Sequence, residues 1–451
     1  MHKIICKSTL VLLFIFCFST MALGQDKTTV PVKKPIEKTT EKKINLDLKV
    51  LLNSLLENHE EIKTYEHRLE SAKAQARQSK GLYYPRLDLF GDAGYEKIDK
   101  EYLLDSEENR HKVTLKGTQL ITDFGKTTHT IERDKIYFDQ SKASLEAIRQ
   151  KMIRDGVVAY INIVRARERL RIAKLSENRI KELTGIEKTL VQKGAGLTTD
   201  VLQAKSQLAG AMALRVQANG ELEIAKNRFQ AVFYHYPTAK EVGQFKEVAY
   251  PTKFVPDNLE QAIATALENN PEVKITSYDV SATQKEIGIS KSRYYPSLNL
   301  YAKGINAYDN DGQKGYRLDY DAGVEFAYNL YSGGGDQAAI QSALAKNTAA
   351  STHLGFAKDQ VKEQVRNSWE QLMTLTQTNE LLDQQADILK TFLELAKEER
   401  KMGTRSLLDV LNGEVNYINA QGDAVAAKED TKSAAFNLLF AMGKIDVSLF
   451  D

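Results

Sequence analysis

The chain states its landmarks twice, about 210 residues apart. Leu56-Glu57-Asn58 returns as Leu267-Glu268-Asn269, and Tyr83-Tyr84-Pro85-Arg86-Leu87-Asp88-Leu89 returns as Tyr294-Tyr295-Pro296-Ser297-Leu298-Asn299-Leu300, both at an offset of 211. Asp200-Val201-Leu202 then returns as Asp409-Val410-Leu411, at an offset of 209. Landmarks that keep one order with a drift of two residues mark two copies of one structural unit. A fold for this chain must therefore be built twice, with a first repeat over residues 45–240, a linker over 241–258 and a second repeat over 259–451.

The first residues carry Lys3 and Lys7, an apolar run from Leu10 to Phe18, and Ala22-Leu23-Gly24 before Gln25. This is the pattern of a secretory signal over residues 1–24. Residues 25–44 are Lys, Glu, Thr and Pro with almost no large apolar side chain, which predicts a disordered tether. No later stretch approaches the ~18 consecutive apolar residues of a transmembrane helix, so any membrane span must be a β-barrel.

Both cysteines, Cys6 and Cys17, fall inside the signal, so neither disulfide nor thiol chemistry is expected of the processed chain. Phe14-Ile15-Phe16 before Cys17 lacks the small residues that lipid attachment requires. Lysine and arginine total 62 against 60 acidic residues, which gives no electrostatic case for nucleic acid. His59, His67, His111, His129, His235 and His353 are scattered, and none pairs at metal-ligand spacing.

From Leu46 a helical period runs to about Lys80, where Tyr84-Pro85 stops it; Tyr295-Pro296 repeats the stop. After each proline the period switches to two. Tyr316, Leu318, Tyr320, Ala322, Val324, Phe326 and Tyr328 alternate with Arg317, Asp319, Asp321, Gly323, Glu325, Ala327 and Asn329. Weaker alternation over 86–96, 111–121 and 297–308, with polar loops near 98–110 and 309–315, predicts one hairpin of two long strands per repeat (about 86–121 and 297–331). A soluble sheet buries one face as well. The signal, the tyrosine-rich apolar face and the lack of any other strand to cover it favour a membrane barrel, with Tyr83, Tyr84, Tyr294 and Tyr295 in its periplasmic girdle. Four strands cannot close, since membrane barrels start at about eight, so the chain must oligomerise.

Gly125 and Gly333-Gly334-Gly335 restart the helical period. Residues 126–192 and 336–401 contain no proline, so each predicts a rod of roughly 100 Å. Glycine-bearing turns, Gly194-Ala195-Gly196 and Gly403-Thr404, return each rod, giving long hairpins over 126–235 and 336–442. The first return is followed by a helix over 258–292. The second has no such sequel, so the helix at 46–80 is expected to complete it, with the N- and C-terminal helices stacked end to end. Leu145, Ile148 and Met152, and Leu183, Ile186 and Leu190, keep 3-4 spacing suited to packing. An ordinary coiled-coil tethering protein explains the rods but not the strands.

Repeats of helix, proline stop, two amphipathic strands, long helix, glycine turn and returning helix resemble the TolC family of outer-membrane export ducts. The paired YYP and DVL elements are the most specific motifs, and the likeness runs from Leu46 to Gly443. It implies an α+β membrane protein: a homotrimer whose 12 strands form one barrel in the outer-membrane lipid, continued by an α-helical periplasmic barrel. The resemblance makes the hairpin turns periplasmic tips that meet a periplasmic adaptor protein. The matching residues are Gly194, Gly196, Leu197 and Thr198 in the first tip, and Gly403, Thr404, Ser406 and Leu407 in the second. Glycine at a helix end and Thr or Asp near a helix start are also ordinary caps.

The same resemblance implies a gate. Arg405 matches the family arginine that ties the second hairpin to the first, and Thr199 and Asp200 match its partners. Asp409 matches an acidic ring residue at the narrowest point. Asn412 stands where the family's best-known member has a second Asp, and Arg400 where a tyrosine joins the network. No GxxxxGK[ST], HExxH or GxSxG motif is present, so no enzyme activity and no cofactor is expected. The stretches Ser406-Leu407-Leu408-Asp409-Val410-Leu411 and Arg366-Asn367-Ser368-Trp369-Glu370 are most similar to the branch serving type I protein secretion, which couples to an ABC transporter and an adaptor. The competing expectation is a drug or metal efflux duct working with a proton-driven pump.

Overall fold

A computed structural model describes residues 46–99, 105–194 and 197–450. The predicted signal and tether, and Gly196 of the first tip, lie outside the described residues. The duplication reaches element lengths. Repeat one runs α1 (Leu48–Asn58), α2 (Glu60–Lys80), β1 (Arg86–Ile98), β2 (Ser106–Thr122), α3 (Lys126–Gln192) and α4 (Thr198–Phe233). After a short α5 (Ala239–Val242), repeat two runs α6 (Leu259–Asn269), α7 (Pro271–Lys291), β3 (Ser297–Asn310), β4 (Gln313–Ala327), α8 (Gly335–Lys401) and α9 (Leu407–Ala441). Both long helices have 67 residues, about 100 Å of rod.

The helices expected over 46–80 and 258–292 are each broken once, at residues 211 apart. His59 (ψ 129°) and Asn270 (ψ 126°) leave the helical region, and each caps the next helix by accepting from the backbone N–H two residues on, Glu61 or Glu272. Pro271 at the first position of α7 has no N–H to lose and holds its predecessor extended. The predicted linker start at 241 falls within α5, which a reciprocal capping box between Thr238 and Glu241 closes into a helical turn.

The four strands form one antiparallel sheet in the order β1-β2-β3-β4, so β2 and β3 join the repeats and β1 and β4 are its edges. The register puts Leu87, Leu89, Val113, Leu115, Leu298, Leu300, Leu318, Tyr320, Val324 and Phe326 on one continuous exposed apolar face. The other face carries ion pairs, among them Lys303 with Asp321 (2.7 Å) and Arg110 with Asp92 (3.1 Å).

The expected polar loop at 309–315 contracts to Asp311-Gly312. Asp309, Asp311 and Gly312 adopt positive φ, and the Gly315 N–H donates to Asp309 Oδ1 at 2.6 Å. The loop near 98–110 likewise shortens, since β2 begins at Ser106. Charged residues continue both strands because they pair across them, as Lys314 does with Glu108 at 2.5 Å. At the other end β4 stops at Ala327 rather than 331.

Helix α3 is the spine, and successive contacts along it order the other helices. On one flank it meets α4 through Arg215–Glu177, Arg169–Glu221 and Arg228–Asp155, then α2 through Lys151–Glu61 and Arg149–Glu66. On the other it meets α9 through Arg179–Glu414 and Arg165–Asp430, then α7 through Gln140–Asp279 and Lys285–Glu132. Thus α4 continues into α2, with Tyr234 stacked on His59 at 5.2 Å between ring centroids, and α9 continues into α7, with Asn270 Nδ2 donating to Ala441 O at 2.8 Å. The expected end-to-end stack of the N- and C-terminal helices is therefore incorrect. Gly443 (φ +69°) turns the chain at the α9–α7 junction so tightly that a Cβ there would lie 2.8 Å from the Asn269 backbone.

The linker wraps the middle of α3. Arg167 Nη1 donates to Phe245 O at 2.7 Å, Tyr160 Oη accepts from the Lys246 N–H at 3.0 Å, and Phe245 packs on Tyr160 and Phe229. These rings sit in the largest core cluster, which α1, the middle of α3, the end of α4 and the C-terminal residues share.

Candidate functional site

Two hairpin tips and the helix ends behind them form the site. The first tip turns at Gly194 (φ +75°), and Leu197 precedes α4 without a side-chain cap. Thr198 and Thr199 are exposed, and Asp200 lies in the first turn of α4, where a carboxylate complements the helix dipole. Neither threonine nor Asp200 caps α4, against the expectation. The second tip is built more tightly. Gly403 (φ +81°) ends α8, Thr404 donates to Glu399 O from both its N–H (3.0 Å) and its hydroxyl (2.9 Å), and Ser406 Oγ caps α9 by accepting from the Asp409 N–H.

Leu197 and Met402 hold their side chains out at 65% and 71% exposure, one at each tip. Leu407 does the opposite. It is 4% exposed and packs with Ile180, Ala204, Ala211 and Leu411, so its expected place on the outer tip surface is corrected to the core between α3, α4 and α9. Its spacing to Leu411 and Glu414 puts it on the inward stripe of α9.

Within one chain Arg405 does not meet Thr199 or Asp200. Its Nε pairs with Glu399 at 3.1 Å and its guanidinium lies 5.0 Å over Phe392, both on its own hairpin. Arg400 is the arginine that crosses to the first hairpin, at 2.7 Å to the buried Glu187 of α3, while its Nη1 donates to Arg405 O at 3.3 Å. Asn412 also crosses, accepting from Gln207 Nε2 of α4 at 3.2 Å. Asp409 is exposed on the first turn of α9.

Sequence reasoning missed Glu414. It is fully buried in α9 and receives Arg179 of α3 at 2.9 Å and Lys397 of α8 at 2.8 Å, tying three helices at one carboxylate. Beside it Gly413 lets α8 approach closely: a Cβ there would meet Phe392 at 3.2 Å. The available signal was an acid on the apolar stripe Leu407, Val410, Leu411, Glu414, Ile418. Between α3 and α8 lies a groove of about 830 Å³, with Leu183, Ile186, Leu190 and Leu395 among its walls and the Arg400–Glu187 pair at its edge.

A second charged cluster fixes the equator. Glu247 of the linker accepts from Lys428 and Lys432 of α9, both at 2.6 Å. These two ammonium groups hold its carboxyl down at about 2, from an ordinary 4.5. Glu429 moves the other way: burial raises it, despite Lys432 at 2.8 Å.

The four tyrosines of the expected girdle stand where helix gives way to sheet. Tyr83 bonds Thr128 Oγ1 at 2.5 Å, Tyr84 and Tyr294 are exposed, and Tyr295 stacks on Phe124 at 5.4 Å.

An open-edged sheet with one apolar face, set on helical rods far longer than a compact domain needs, defines a subunit of an outer-membrane channel with a periplasmic helical extension. The chain belongs to the family described as outer membrane efflux protein, whose model matches residues 51–233 and again 262–444. The two matches begin 211 residues apart, as the duplicated landmarks do.

Among curated relatives, the outer membrane efflux protein BepC of Brucella suis is 24% identical over 340 residues, covering 74% of this chain and 72% of its own. The outer membrane protein TolC of Escherichia coli is 21% identical over 394 residues, covering 84% and 78%. Among solved structures, the CmeC outer membrane channel of Campylobacter jejuni superposes with a TM-score of 0.74 at 19% identity, covering 92% of each chain. The protein is thus an outer-membrane efflux channel component of the tripartite kind, with its helical part in the periplasm.

Proposed function

We propose that three copies of this chain form a continuous duct for type I protein secretion. The observation that carries the duct is the pair of unsatisfied edges. β1 and β4 each have one unpaired side, and α8 packs along no helix of its own chain other than α6, α7 and α9, among the described residues. Joining β4 and α8 of one copy to β1, α2 and α4 of the next satisfies strands and helices with one operation, and 3 × 4 strands close a barrel. Support for protein cargo comes from relatives: the alkaline protease secretion protein AprF of Pseudomonas aeruginosa is 21% identical over 300 residues, covering 66% of this chain and 62% of its own. BepC, an efflux protein by name, supports the second reading, a drug or metal duct.

The exposed tip residues Gly194, Leu197, Thr198, Gly403, Thr404 and Ser406 meet a periplasmic adaptor, and an inner-membrane ABC transporter supplies the energy; in the second reading a proton-driven pump does so. Three copies of Asp409 form the acidic ring at the aperture. Arg405 reaches Thr199 and Asp200 of the neighbouring copy, while Arg400–Glu187 locks the hairpins within each copy, each bond contributing ~1.5–3 kcal/mol to the closed state. The deciding experiment co-expresses the full-length protein with a type I ABC transporter, its adaptor and their protein substrate, and follows appearance of that substrate in the medium with and without the duct. Unimpaired secretion without the duct, together with raised drug or metal sensitivity, would move it to the efflux reading.

A further inference from the structure

A cleft of about 430 Å³ opens where the sheet meets the helices, lined among others by Lys126, Arg293, Tyr295 and Tyr328. Tyr328 continues the outward alternation of Val324 and Phe326, its ring centroid 6.5 Å from that of Phe326, so the cleft lies at the lower edge of the apolar face. Tyr295, stacked on Phe124, closes another side.

Two cations in the cleft are incompletely matched. Lys126 is exposed and has no ion-pair partner among the described residues. Arg293 is 3.8 Å from Asp336, whose carboxylate already accepts from Ser332 Oγ at 2.6 Å. The other nearby acid, Asp123, is committed to the start of α3, accepting from the Thr127 N–H (2.9 Å) and hydroxyl (2.5 Å). The repeat-equivalent positions carry no such pair. Leu82 stands 211 residues before Arg293, and Gly335 opens α8 where Lys126 opens α3.

We infer that this cleft binds the phosphate of a glycerophospholipid from the periplasm-facing leaflet. Lys126 and Arg293 hold the phosphate oxygens, and Tyr295 and Tyr328 flank the glycerol where the acyl chains turn onto the apolar sheet face. Cations beneath an aromatic belt suit a headgroup, because the charge stays at the wet boundary while the rings straddle it. The continuity of the cleft with the apolar face favours a lipid over free phosphate.

Native mass spectrometry of the full-length, detergent-extracted oligomer, titrated with palmitoyl-oleoyl phosphatidylglycerol or phosphatidylethanolamine, tests this. Wild type is expected to retain lipid on each copy, and the K126Q/R293Q double variant to retain it about tenfold more weakly at unchanged oligomer mass. Should the double variant fail to assemble, Lys126→Gln alone, which breaks no ion pair, is expected to weaken retention severalfold. Equal retention by wild type and variant overturns the inference, as does displacement of the lipid by millimolar inorganic phosphate, which would make the cleft a free-anion site.

Discussion

Helices α3 and α8 have equal length and corresponding places in the two repeats, yet 21 residues of α3 are buried against 7 of α8. The shorter return helices show the reverse order: 9 residues of α4 are buried and 18 of α9. A duplicated chain thus contains two inner helices, α3 and α9, and outer ones, α4 and α8. The difference is positional. α3 has helices on both flanks, whereas α8 carries Phe356, Leu381 and Ile388 into the open. Large apolar side chains repeated along one rod mark a surface awaiting a partner.

The comparison breaks most severely through the core of α3. Ile161→Ala, at a fully buried position, is expected to destabilise the chain by about 3 kcal/mol in denaturant titration. Leu381→Ala on α8 is expected to change single-chain stability by less than about 0.5 kcal/mol while lowering the temperature at which oligomers dissociate on gels. Equal effects at the two sites would show that α8 is not an interface.

Glu414 joins the inner helices to the outer one, so Glu414→Ala tests their coupling. The expected cost is about 1–3 kcal/mol, below that of a fully buried ion network because Arg179 and Lys397 keep access to water. Single-channel conductance in planar bilayers should rise as the hairpins loosen; unchanged conductance and stability would reduce the triad to a packing detail.

Arg400→Ser and Arg405→Ser separate locking within a copy from locking between copies. Each is expected to raise conductance, and the double variant to exceed either, since their partners differ. If Arg405→Ser changes neither conductance nor export, that residue has no part in the gate.

The smallest expected effect is at the equator. Because Lys428 and Lys432 depress Glu247, its contribution is complete above the ordinary carboxylate value of 4.5 and is lost as pH falls toward about 2. Glu247→Gln should therefore flatten the acid-unfolding curve in that window and leave stability between pH 6 and 8 little altered in shape. A variant curve parallel to wild type down to pH 2 would contradict the assignment.

Much of this was legible without coordinates, because the signals are local. Pro85 and Pro296 stop helices, Gly125 and Gly334 take left-handed φ before the rods, and two-residue alternation lays Leu318 to Phe326 on one face. The proline-free runs 126–192 and 336–401 agree with α3 and α8 to within one residue, while the breaks at His59 and Asn270, which the helical period does not show, keep the same 211-residue offset. Less was legible at the tips. Leu407 and Glu414 differ in chemistry yet share one buried stripe, and only the packed neighbours separate a core leucine from an exposed tip leucine.

The sequence alone determined the repeats, the rods, the strands and their amphipathic face, since each follows from the backbone preferences and side-chain period of a short segment. Tertiary structure alone decided that α9 stacks on α7 and α4 on α2, that Arg400 reaches Glu187, and that Lys126 and Arg293 share a cleft. Those pairings join residues far apart in the chain, and several partners of equal local fitness compete for each. Close packing selects among them, as at Gly443, where the chain can pass only because no side chain stands between it and Asn269.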